Sequence, residues 1–160
     1  MKVRKEPKPL TPPQEVKGKE LYFEVSELCV HSESGEGAYA DWSETYDCSL
    51  EKVSRNKELL NRLNFYAHRV PDEVYNANTV YVVVVTYNTG NSFGRAEGKL
   101  ALAFVTENPD EAIAAKNAIE NNTYASFYTS PKWLAGSGYT EWNGYFERVT
   151  SVDIEFHQVM

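Results

Sequence analysis

Val80-Tyr81-Val82-Val83-Val84-Val85 is an apolar, mostly β-branched run with no polar break. A half-exposed strand alternates apolar and polar residues. This one does not, and so predicts a central strand covered on both faces, with Val82 and Val84 buried on one side and Val83 and Val85 on the other. The rest of the chain must supply two covering layers. At 160 residues it is long enough to do so, burying roughly two-thirds of its unfolded surface without a metal or disulfide staple.

The other elements follow from pattern. Leu21, Phe23, Val25 and Cys29 alternate with polar residues, and after a turn at His31–Gly37 the positions Trp42, Tyr46, Cys48 and Leu50 do the same, which predicts an opening hairpin. Leu59, Leu60 and Leu63 have helical spacing and predict a short helix ending before Pro71. A glycine-rich loop around Gly90 and Gly94 leads to a strand from Lys99 to Thr106. Its large residues Leu100, Leu102 and Phe104 lie on one face and Ala101, Ala103 and Val105 on the other. Asn108-Pro109-Asp110-Glu111 supplies an N-cap, a proline at the first helical position and a capping-box acid. The helix it opens carries a small-residue stripe, Ala112, Ala115, Ala118 and Ile119, suited to lie against the small face of the preceding strand. Val152, Ile154 and Phe156 alternate in a closing strand.

The expected fold is therefore α+β, a single domain over 20–160. Its mixed or mostly antiparallel sheet has about five strands, with one or two helices packed on one face. Residues 1–19 hold four prolines and six Lys/Arg against two Glu, the composition of a flexible basic arm. Residues 20–160 hold ten Lys/Arg against 21 acids, a net charge of −11. That sign repels phosphate backbones, so general nucleic-acid binding is not expected of the body, and partners with basic surfaces are. Without a long apolar run or an apolar leader the expected location is the cytoplasm, off the membrane. Two cysteines agree with a reducing compartment. Oligomeric state has no sequence signal.

No nucleophile elbow or paired histidine motif is present, so no catalytic residue is assigned. Cys29, His31 and Cys48 can share a face of the first hairpin, but they lack the spacing of a zinc site, and no metal or cofactor is expected. Two loops stand out. Gly90, Gly94 and Gly98 recur every four residues around Ser92 and Arg95, able to hold an anion or simply to form a hairpin tip. The segment Tyr124–Phe146 carries eight aromatics in 23 residues, including Tyr139 and Trp142. Ser92, Arg95, Tyr139 and Trp142 are the candidate binding residues: aromatic anchors beside a few polar groups.

The segments Thr86-Tyr87-Asn88-Thr89-Gly90-Asn91-Ser92-Phe93-Gly94 and Trp142-Asn143-Gly144-Tyr145-Phe146-Glu147 are similar to segments of small uncharacterised bacteriophage-encoded proteins, over roughly residues 78–160. That resemblance implies an accessory or host-takeover role and brings no assigned catalytic residues. The leading expectation is a non-enzymatic binding protein that inhibits a host protein. The alternative is a nucleotide or small-molecule binder in which Arg95 grips a phosphate and loop aromatics stack on a base. A third class is an enzyme acting on nucleotides or polysaccharide through carboxylates assembled from distant strands.

Overall fold

The computed structural model describes residues 18–35, 41–91, 94–121 and 148–160. The elements in chain order are β1 (Lys19–Ser34), β2 (Trp42–Ser54), a 3-10 turn (Lys57–Leu59), β3 (Phe65–Val70), α1 (Asp72–Tyr75), β4 (Thr79–Asn91), β5 (Gly94–Thr106), α2 (Pro109–Asn121) and β6 (Arg148–Gln158). They form a six-stranded mixed sheet in the order β3-β1-β2-β5-β4-β6. Every neighbouring pair is antiparallel except β2 and β5. The α+β class and single domain are as expected, and the sheet has six strands. The basic arm up to residue 17 and the aromatic segment between α2 and β6 lie outside the described residues. Lys19, assigned to the arm, is the first residue of β1 and pairs with Val70.

Two halves of the sheet, β3-β1-β2 and β5-β4-β6, share one core. Leu21, Phe23 and Val25 of β1 and Leu50 and Val53 of β2 meet Val80, Val82 and Val84 of β4 and Leu102 and Val105 of β5. The opposite face of β4 offers Val83, Val85 and Tyr87 to a second core, closed by Ala112, Ala115 and Ile119 of α2 and by Val152 of β6. Val82, Val83 and Val85 have no solvent exposure and Val84 has 4%. The unbroken run is unbroken because each of its faces has its own core to fill.

The parallel ladder between β2 and β5 lies at one end, where Trp42 pairs with Gly94, Ser43 with Arg95, Glu44 with Ala96 and Thr45 with Glu97. At the other end of β2 a parallel bridge joins Val53 to Val159. There Met160 accepts from the Arg55 N–H and donates to the Val53 carbonyl. Backbone pairing among the described residues thus joins the halves at two separated places.

Two local expectations give way. The Leu59–Leu63 segment is a single 3-10 turn followed by β3, and Leu63 is 96% exposed. No helix buries these leucines, because the chain is held in an open turn by the carboxylate of Glu24, which accepts the N–H groups of Asn61 and Arg62. Pro71 then opens α1 instead of following a helix, accepting the Tyr75 N–H at 2.9 Å. In β5 the simple large and small faces are broken by a register shift opposite Val83 and Val84. Leu102 and Val105 face the first core, while Ala101 and Ala103 face α2 with Phe104 packed beside them. One inserted residue flips every later side chain.

The start of α2 is as expected at Asn108, whose Oδ1 accepts the Asp110 N–H at 2.9 Å. Glu111 does not reach back to the Asn108 N–H. Buried Thr106 stands between them, its hydroxyl accepting from the Asn108 N–H at 3.1 Å and donating to Glu111 at 2.7 Å.

Candidate functional site

The inner face of the β1–β2 hairpin runs from core to solvent in register. Val25 pairs with Leu50, Glu27 with Cys48 and Cys29 with Tyr46, so burial gives way to polar contacts one step at a time. The Lys99 ammonium lies 4.0 Å above the Tyr46 ring and pairs with Glu27. The Tyr46 hydroxyl donates to Glu44. That hydrogen bond, with burial, raises the phenol's pKa above its ordinary range. Burial and the nearby Glu27 likewise push the Cys48 thiol up, away from the thiolate a nucleophile needs. The Lys99 contacts fasten the hairpin to β5.

Beyond them the hairpin leaves the core. Every residue from Leu28 to Ser34 is exposed. Cys29, expected to be buried, is among them, since the core ends at Val25. Where this free end meets the start of β5 there is an open cleft of about 550 Å³, lined by Glu33, Ser34, Gly35, Asp41, Trp42, Ser43, Arg95 and Glu97. The parallel register builds it, because setting Trp42 opposite Gly94 puts Ser43 beside Arg95. Gly94 leaves room for the Trp42 indole, which a Cβ at that position would overlap. Gly35 donates its N–H to the Asp41 carbonyl, closing the strand ends behind the cleft.

Of the four residues expected to bind, the structure places Arg95 in this cleft. Ser92, Tyr139 and Trp142 lie outside the described residues. Gly90 and Gly98 take positive φ (132° and 79°) within β4 and β5, and the Gly98 N–H is used by the Asn88 side chain at 3.3 Å. Sequence reasoning missed the cleft's other side. Trp42, 45% exposed, and the carboxylates of Glu33, Asp41 and Glu97 come together only through pairing of β2 with β5.

No family model, curated protein or solved structure matches the chain. Function must be argued from the site itself. Three carboxylates against one guanidinium make the cleft a poor host for phosphate and a good one for a cation, which also gains from the face of an indole. Among the described residues no three His, Cys, Asp or Glu side chains are grouped to hold a metal ion, and no helix is long and apolar enough to cross a membrane.

Proposed function

We propose that this chain is a non-enzymatic binding protein that holds a basic partner protein at the free end of the β1–β2 hairpin. The observation that carries the reading is the cleft in which half-exposed Trp42 stands among Glu33, Asp41 and Glu97. A lysine or arginine side chain entering it exchanges water for an aromatic face and carboxylate partners, the combination that makes interface hot spots. The net charge of −11 over residues 20–160 steers such a partner in and turns nucleic acid away. In this reading the chain is of phage origin, its partner is a host protein and inhibition of that protein is the consequence.

Isothermal titration with a lysine-rich decapeptide and, separately, with ATP tests it. The peptide binds and the nucleotide does not. Trp42→Ala weakens peptide binding by at least about 2 kcal/mol, roughly thirtyfold. Arg95→Ala decides between the two classes by sign. Removing a like charge strengthens the hold on a cationic peptide, whereas a phosphate binder would lose affinity.

A further inference from the structure

β1 is much longer than the strand beside it. β3 pairs with β1 only from Lys19 to Glu24, while β2 continues along the other side as far as Ser34. The contact on the β3 side ends where the Val25 N–H donates to the Asn64 carbonyl at 2.9 Å. Backbone groups alternate sides along a strand, so those of Glu27 and Cys29 point the same way as Val25, and among the described residues no strand meets them there. Leu28 and Val30, 61% and 52% exposed, flank this edge.

We propose that this edge accepts an extended lysine- or arginine-rich segment of the partner as an added strand, with the cleft receiving a cationic side chain at its end. The proposal rests on the binding-protein reading and adds to it the mode of recognition. Strand addition supplies affinity through main-chain hydrogen bonds and selectivity through side chains at alternate positions. Charge complementarity identifies the occupant. Residues 25–34 and 41–50 carry five carboxylates, from Glu27, Glu33, Asp41, Glu44 and Asp47, and no lysine or arginine. A second copy would bring the same charges to the same edge.

Amide hydrogen exchange on the full chain, with and without a decapeptide of alternating Lys and Thr, tests the proposal. Slower exchange at Glu27 and Cys29 on binding is the expected result, with affinity falling as salt rises. The same peptide N-methylated throughout its centre keeps its charge and loses its donors, and should bind at least about tenfold more weakly. Cys29→Pro removes a donor from the open edge and should weaken the unmodified peptide, with circular dichroism reporting the fold. Equal binding of both peptides, with no protection at Glu27 and Cys29, overturns strand addition and leaves the binding-protein reading standing. Failure of both peptides to bind at millimolar concentration overturns both readings. Protection already present in the free chain overturns the proposal too: loss of that protection on deleting residues 1–17 would give the edge to the chain's own basic arm, and dependence on protein concentration would give it to a second copy.

Discussion

The indole of Trp42 occupies the space a side chain at residue 94 would need, so Gly94 and Trp42 form one unit across the parallel pairing of β2 and β5. Gly94→Ala should push the ring outward into solvent. Because the ring is already half-exposed, the stability cost is about 1 kcal/mol, at the low end for overpacking. The Trp42 indole N–H resonance should shift, and peptide affinity at the cleft should fall with it. An unmoved resonance would show that the ring does not rest on residue 94.

Val83 has no exposure and looks onto α2 rather than onto the core between the sheet halves. Val83→Asp places an unpaired charge among alanines and costs more than about 4 kcal/mol. Loss of soluble folded protein, followed by gel filtration, is the expected result.

Glu24 is 1% exposed and accepts the Asn61 and Arg62 N–H groups. Glu24→Leu leaves both donors without an acceptor and should destabilise by about 2–4 kcal/mol, while Glu24→Gln, which keeps one oxygen, should cost less. Urea denaturation of the two variants checks the order.

His68 packs edge to face on Phe23, with ring centroids 6.2 Å apart. Burial there lowers its pKa below the ordinary 6.5, partly offset by its contact with the Arg69 carbonyl. The unfolded chain therefore takes up the proton first. This contribution to stability is complete above pH 6.5 and is lost as the pH falls below it. His68→Gln should flatten that part of the pH dependence, measured as denaturation midpoints at neutral and mildly acidic pH.

What could be read in advance depended on how local its causes were. The Val80–Val85 run and the Asn108-Pro109 helix start declared themselves because strand burial and helix capping act over a few residues. β3 did not, since the leucines before it mimic a helix and the deciding contact comes from Glu24 across the sheet. The shift in β5 was hidden for the same reason: nothing in Leu100–Thr106 marks where its partner Val83 changes register. At the site, the glycines drew attention to Arg95, yet the residues that face it belong to the first hairpin. Trp42 was legible as a strand residue and not as part of a cleft, because its role follows from a pairing that no short-range pattern encodes.

That pairing also bears on the order in which the molecule assembles. The β1–β2 and β4–β5 hairpins are contiguous in sequence and can zip up early, whereas the four parallel pairs from Trp42–Gly94 to Thr45–Glu97 join strands that are distant along the chain. Closing so long a loop carries an entropic cost that the two hairpins do not, so the join is expected to follow their formation. Substitutions at Ser43 or Glu97 would then speed unfolding and leave the folding rate nearly untouched. On that order, the same four pairs that build the cleft are where unfolding is expected to begin.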